Sequence, residues 1–205
     1  LEVITVKEKT FRFVHILYVL LITNIISICY LAIGLFALTI VPVVFTNIEI
    51  SIMLFNDEID GYSGVLKIFN TGMKKYFKEN KKPAIITGLY TLSLVIAIFM
   101  LRRIDSPIAS TLTYFFVYLY IVIAMYWGYY SLYVIAKERP IKYIDALAIM
   151  FMEPKKLFTT TVLFALFMAV GIFRKEFLVI LAIAIISAMF VKINRSTIDA
   201  VKINR

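Results

Sequence analysis

Long apolar runs dominate this sequence and limit what it can fold into. One run extends from about Phe13 to Phe55 with a single acidic residue, and others follow at about 84–101, 112–136, 157–173 and 177–190. About 20 apolar residues cross the roughly 30 Å hydrocarbon core of a membrane, whereas a soluble domain cannot hide this much apolar surface. With 62% hydrophobic residues, the chain is predicted to be an all-α polytopic membrane protein surrounded by the lipid bilayer.

Six membrane spans are predicted within one membrane domain that takes in residues 1–205. A turn between Gly34 and Pro42 divides the first run into spans at 13–35 and 36–55, and the other four runs give one span each. The first run contains no small-residue cleavage site, so we expect uncleaved spans and not a signal peptide. A helix that starts at Pro42 leaves about 14 residues before Asn56, so the second span is expected to be short or tilted.

The basic residues predict the orientation of these spans. Eighteen lysines and arginines fall at the two ends of the chain and in the connections at about 56–83 and 137–156, whereas four fall on the other side. Lysine and arginine are retained on the cytoplasmic side during insertion. We therefore expect a multi-pass membrane protein with both termini in the cytoplasm. This distribution explains the net charge of +9 without a nucleic-acid partner.

The two long cytoplasmic connections carry amphipathic patterns typical of helices that lie along a membrane surface. In the first, at about 64–79, apolar residues recur at helical spacing and lysines take the opposite side. In the second, at about 140–153, Pro140 is a suitable first residue of a helix. The apolar stripes are Val65, Phe69, Met73, Tyr76 and Phe77 in the first helix and Ile141, Ile144, Leu147, Ala148 and Phe151 in the second. We predict two cytoplasmic amphipathic surface helices.

Polar residues inside the spans are the candidates for a functional site, because each costs free energy in the membrane unless it finds a partner. Asn24 lies in the first span, and Asn47 and Glu49 lie in the second. A carboxylate at the membrane centre costs roughly 3 kcal/mol, so Glu49 must be protonated, paired or in contact with water. Two interpretations stay open: a carboxyl group held by a neighbour such as Asn24, or a site for a ligand or a proton.

Patterns that indicate catalysis or metal binding are missing from the sequence. There is no nucleophile elbow, phosphate loop or zinc-protease motif, so we expect no catalytic residues, no metal and no cofactor, and we do not expect an enzyme. The segment from Asn56 to Gly61 begins like a calcium loop, but Lys67 replaces the closing glutamate.

Cys29 is the only cysteine and is expected to be a small buried residue. The many aromatic residues of the fourth span fit core packing or, alternatively, a stacking surface for a sugar.

Several short segments resemble one family of membrane proteins in their order and spacing. They are Leu21-Ile22-Thr23-Asn24 in the first span, Ile40-Val41-Pro42 at the start of the second, Tyr76-Phe77-Lys78-Glu79-Asn80 before the third, Pro140 with Ala146, Pro154 and Leu157 before the fifth, and Ser187-Ala188 with Asn194-Arg195 at the end. Together they resemble the YesL family of bacterial integral membrane proteins over nearly the whole chain. Glu49 departs from that family, which usually has small residues there.

The resemblance implies a role in transport. Members of the YesL family have no established biochemical activity, and some are encoded with carbohydrate-uptake and polysaccharide-degradation systems. The resemblance therefore implies an accessory protein or subunit of a bacterial carbohydrate ABC-type uptake system, without its own ATPase.

Such a role would need a surface that contacts other membrane transport subunits and an ATPase. Lys74, Lys75 and Lys78 in the first surface helix and Asp145-Ala146 in the second are the candidates for this surface. Two alternatives stay open. One is a membrane-embedded sensor or assembly factor that acts through its basic cytoplasmic helices, and the other is a substrate-capturing subunit of a vitamin transporter.

Overall fold

The computed structural model of the chain describes residues 6–34, 38–59, 61–137, 142–173 and 175–203, and for 6–7, 168–173, 175–182 and 200–203 it describes the backbone alone. All the regular secondary structure in these ranges is α-helical. The helices are α1 (Val6–Ile33), α2 (Ile40–Phe55), α3 (Gly61–Glu79), α4 (Lys81–Leu101), α5 (Pro107–Lys137), α6 (Tyr143–Met152), α7 (Pro154–Phe173), α8 (Lys175–Ile193) and α9 (Arg195–Ile203).

The predicted all-α fold class is confirmed in the described part of the chain. The six predicted spans coincide with α1, α2, α4, α5, α7 and α8, and the two predicted surface helices coincide with α3 and α6. Among the described residues, three helices, α1, α4 and α5, are long and apolar enough to cross a membrane. The short helix α9 was not predicted, and Ile141 and the turn at Arg174 lie outside the described residues.

The first three helices form an up-down-up unit. Near one end of it Arg12 forms an ion pair with Asp57, with 2.7 Å between Nη2 and Oδ2, and further along α1 the Tyr30 hydroxyl donates to Asn70 Oδ1. These contacts show that α1 and α3 run in the same direction. Helix α2 lies antiparallel to both, because Phe45, near its first turn, packs against Tyr76, near the last turn of α3.

The apolar stripe of α3 corrects one expectation from the sequence. Val65, Phe69, Met73 and Tyr76 are at most 5% exposed, because they pack against α1 and α2. Helical periodicity identifies residues that share a face, but it does not distinguish a face covered by lipid from one covered by protein. The stripe of α6 behaves differently, since Ile144, Leu147 and Phe151 are exposed. Of the two predicted stripes, the one on α6 is therefore uncovered at these three residues.

Helices α4 and α5 form an antiparallel hairpin that extends beyond the turn joining α1 to α2. The residues next to that turn, Ile40 and Val41, share one cavity with Thr87 and Thr91 from the middle of α4. Beyond this level, the apolar side chains of the hairpin are mostly exposed. The exposed residues include Ile96, Phe99, Met100, Ile104, Ile108, Leu112, Tyr114, Phe115 and Tyr118.

A polar cluster ties the start of α7 to α9. The Glu153 carboxylate accepts a hydrogen bond from the Thr197 hydroxyl at 2.8 Å and forms an ion pair with Lys156. Lys156 Nζ also donates to Ser196 Oγ at 2.9 Å and to Thr197 Oγ1 at 2.6 Å. These charge-assisted bonds, led by the one to Lys156, lower the pKa of Glu153 below its ordinary value.

Candidate functional site

A cavity of about 250 Å³ lies between the helices that coincide with the six predicted spans. Its wall takes residues from α1, α2, α4, α5, α7 and α8. Most are aliphatic or aromatic: Leu31, Ile40, Val41, Val43, Val44, Ile48, Ile123, Ala124, Trp127, Phe164, Phe167, Ile183, Ile186 and Phe190. The polar groups are four hydroxyls, from Thr87, Thr91, Tyr120 and Ser187. No charged side chain of the described residues lines this space, so the wall suits a mainly apolar molecule.

Small residues and a short helix together create this space. Gly128 has no side chain, and a Cβ there would lie 3.1 Å from Phe190 Cζ, so the glycine lets α5 and α8 approach closely. Ala124 lies one turn earlier on the same face of α5. Because α2 begins only at Ile40, the turn before it ends beside the middle of α4 and α5. The cavity therefore lies at the level where the α1–α2 hairpin ends.

Asn24 of α1 bonds to α8, and Asn47 of α2 bonds to α1. Asn24 Oδ1 accepts hydrogen bonds from the backbone N–H groups of Ile183 and Ala184 in α8, at 3.1 and 3.3 Å. Asn47 Nδ2 donates to Ser27 Oγ in α1 at 2.8 Å and to the Val43 carbonyl oxygen at 2.8 Å. Both side chains are fully buried. The hydrogen bonds of the two side chains therefore hold α1, α2 and α8 together.

Glu49 faces α3. A Cβ on Gly72 would lie 3.2 Å from Glu49 Oε2, so this glycine gives the carboxyl group its room. The charges of Lys75 and Glu79 act on the carboxyl group from the same helix. The buried Tyr76 hydroxyl lies beside it without a hydrogen bond of regular geometry. Burial raises the pKa of Tyr76 and the nearby Glu49 charge raises it further, so the hydroxyl stays protonated at neutral pH.

The three predicted intramembrane residues therefore do not form one site. Asn24 meets α8, Asn47 meets α1, and Glu49 meets α3. The neighbours of the Glu49 carboxyl group come from α3, and not from Asn24 as expected, because α3 packs against α2. None of the three lines the cavity.

The predicted partner-coupling residues differ in their exposure. Lys74, Lys75 and Lys78 are exposed on α3, and Asp145 is exposed on α6. Ala146 is fully buried and packs in a cluster with Tyr76 and Tyr130, so it cannot contact a partner directly. The same cluster brings the end of α3 and the start of α6 to one region of the molecule.

The structure tests two further expectations, the burial of Cys29 and the packing of the aromatic residues of α5. Cys29 is exposed on α1, so the expectation that it is buried is wrong. In α5, Trp127, Tyr129 and Tyr130 are at most 5% exposed and pack against other aromatic rings, which confirms the packing interpretation for them. Tyr120 is the tyrosine of α5 that lines the cavity.

Comparisons with protein-family models, with curated proteins and with solved structures give no match for this chain. The resemblance to the YesL family therefore stays a prediction. In the described part of the chain, histidine, cysteine and acidic side chains form no group that could hold a metal ion. The cavity is the feature of these residues best suited to binding.

Proposed function

We propose that this protein is a membrane-embedded binding protein that holds a small, mainly apolar molecule between its helices. The observation that carries the proposal is the cavity of about 250 Å³ with its almost wholly apolar wall. An apolar cavity of about 150 Å³ accommodates benzene, so this one has room for roughly ten non-hydrogen atoms. Of the expected roles, substrate capture for a transporter agrees best with this geometry.

The proposal places the cavity inside a bundle of six spans. Helices α1, α4 and α5 meet the length and composition of a span, and α7, with 20 residues, is about 30 Å long. Helix α2, with 16 residues, is about 24 Å long, so it crosses only where the membrane is thinned or where neighbouring helices cover its end. The long α4–α5 hairpin supplies an exposed apolar surface for lipid. Both termini are assigned to the cytoplasm by the distribution of lysine and arginine.

The chemistry of the wall favours an apolar ligand over a carbohydrate. A sugar carries several hydroxyl groups, and each buried hydroxyl without a partner costs roughly 1 to 3 kcal/mol. Among the described residues, the wall offers four hydroxyls and neither an amide nor a charged side chain. A transport role for this chain would use an ATPase on another subunit, because the sequence has no phosphate loop.

The experiment that tests the proposal is recovery of a retained molecule. The protein is purified from membranes in mild detergent, and native mass spectrometry before and after organic extraction measures bound small molecules. The matched control is Ala124→Phe, which adds a ring to the cavity wall. We expect an apolar molecule on the wild type and its loss from the variant. Equal recovery from both proteins, or none from the wild type, would contradict the proposal.

A second candidate function is partner binding through α3. Lys74, Lys75 and Lys78 present three positive charges on one exposed segment, and Lys81 and Lys82 follow at the start of α4. Such a cluster suits an acidic surface on a partner subunit. The test compares pull-down of membrane partners by Lys74→Glu/Lys75→Glu/Lys78→Glu with pull-down by Glu49→Gln. A sensor or assembly factor loses its partners only in the charge-reversed protein.

A further inference from the structure

The Thr91 hydroxyl is an unusual group in the cavity wall. Thr91 is 2% exposed, it lines the cavity, and its Oγ1 has no hydrogen-bond partner. The other buried threonines of the described residues all donate to a protein oxygen. The donors and their acceptors are Thr23 to Val19 O, Thr46 to Pro42 O, Thr113 to Ala109 O, Thr160 to Lys156 O, and Thr197 to Glu153 Oε1.

An unpartnered buried hydroxyl costs free energy that a hydrogen bond would recover. In a helix, a threonine normally recovers it by bonding to a carbonyl oxygen one turn earlier. Thr91 does not make this bond, and none of the other wall hydroxyls, from Thr87, Tyr120 and Ser187, is bonded to it. Because Thr91 lines the cavity, a molecule bound there is the candidate for this missing partner.

We propose that Thr91 selects an amphipathic ligand, with an apolar body of about ten non-hydrogen atoms and one hydrogen-bonding group that meets Thr91 Oγ1. This inference rests on the proposed binding function and deepens it by naming the class of ligand. A purely apolar molecule, such as the end of a lipid acyl chain, would fill the same space and leave the hydroxyl unpaired. The cavity thus distinguishes an alcohol-bearing molecule from a hydrocarbon of the same shape.

Trp127 provides the measurement, because it is the only tryptophan of the chain and it lines the cavity. Bromine quenches indole fluorescence on contact, so 1-bromooctane and 8-bromooctan-1-ol form a matched pair of probes with and without a hydroxyl. Both are titrated into the full-length protein in detergent, and the saturable part of the quenching gives each dissociation constant. Each probe also partitions into the detergent. This partitioning is the same for every protein variant, so it cancels in the ratio of two dissociation constants measured with the same probe.

The variants separate the hydroxyl from the shape of residue 91. Thr91→Val removes the hydroxyl and keeps the shape, Thr91→Ser keeps the hydroxyl, and Thr113→Val alters a buried threonine outside the cavity wall. We expect Thr91→Val to bind 8-bromooctan-1-ol roughly fivefold more weakly than the wild type. Thr91→Ser and Thr113→Val should keep wild-type affinity for the alcohol, and all proteins should bind 1-bromooctane alike.

Two other results would overturn the inference. If both probes quench Trp127 but Thr91→Val changes neither dissociation constant, or changes both equally, the cavity binds apolar chains and Thr91 selects nothing. If neither probe quenches Trp127 in any protein, the cavity is not a binding site and the proposed function fails as well.

Discussion

Substitution of Gly72 by alanine tests the close packing of α2 against α3. A Cβ at this position would lie 2.9 Å from Thr46 Oγ1 and 3.0 Å from Thr46 Cγ2, as well as close to the Glu49 carboxyl group. Thr46 is fully buried and its hydroxyl is held by the Pro42 carbonyl oxygen at 2.8 Å, so it cannot turn away freely. The added methyl group must therefore push α3 away from α2.

The size of the effect follows from two opposing contributions. Overpacking of a buried contact costs about 1 to 3 kcal/mol. Replacing glycine by alanine inside a helix raises the free energy of unfolding by about 1 kcal/mol. Gly72→Ala should therefore lower the free energy of unfolding by up to about 2 kcal/mol. Gly64 is the matched control on the same helix, because its Cβ would meet only Ile59 Cγ2 at 3.8 Å. Gly64→Ala should instead raise stability by about 1 kcal/mol.

Unfolding by sodium dodecyl sulfate in mixed micelles, followed by circular dichroism, measures both variants on one scale. Thr46→Ala removes the two atoms nearest the new methyl group, so Gly72→Ala should cost less in that background. Equal shifts of the midpoint by Gly72→Ala and Gly64→Ala would refute the close packing at Gly72. So would an undiminished cost of Gly72→Ala in the Thr46→Ala background.

Two further predictions concern the α7–α9 junction and the packing of α6. Because the pKa of Glu153 is lowered in the folded protein, its contribution to stability is present above its ordinary value of 4.5 and is lost as pH falls through the lower folded value. Glu153→Gln should therefore lose less stability in acid than the wild type, as measured by unfolding midpoints between pH 6 and pH 3. Identical pH profiles for the two proteins would contradict a stabilising role of the Glu153 carboxylate in the polar cluster. Ala146 is fully buried, whereas Ala148 on the same helix is exposed. Ala146→Leu should cost about 1 to 3 kcal/mol of unfolding free energy and Ala148→Leu almost none; equal effects would contradict the burial of Ala146.

The helix boundaries were predictable where charge and hydropathy change together. Residues 84–101 were expected to form a span, and α4 covers Lys81–Leu101 before Arg102 and Arg103. Helix α9 was missed because its nine residues, Arg195–Ile203, are mostly polar and form no long apolar run. Such a short helix is stabilised by its contacts, here the bonds of Ser196 and Thr197 to Lys156.

The arrangement of the helices was not predictable from the apolar runs. Lipid-facing and protein-facing sides of a helix are both apolar, so the sequence could not show that α3 covers Glu49 or that Asn24 bonds to α8. The cavity gives even less signal, because it is a space bounded by six helices and its wall consists of ordinary core residues. Thr91 differs from the other buried threonines in its missing hydrogen bond, which depends on the packing of the helices and leaves no mark in the sequence.

The cavity is proposed to lie between helices that cross the membrane, and cysteine labelling on both sides of α4 and α5 tests these two crossings and their direction. Cys29 is replaced by alanine, and Lys75→Cys, Lys155→Cys and Asp105→Cys are introduced one at a time at exposed positions. A membrane-impermeant maleimide is applied to intact cells and to inverted vesicles. Positions 75 and 155 should react only from the cytoplasmic side and position 105 only from outside. Labelling of positions 75 and 155 from opposite faces would contradict it.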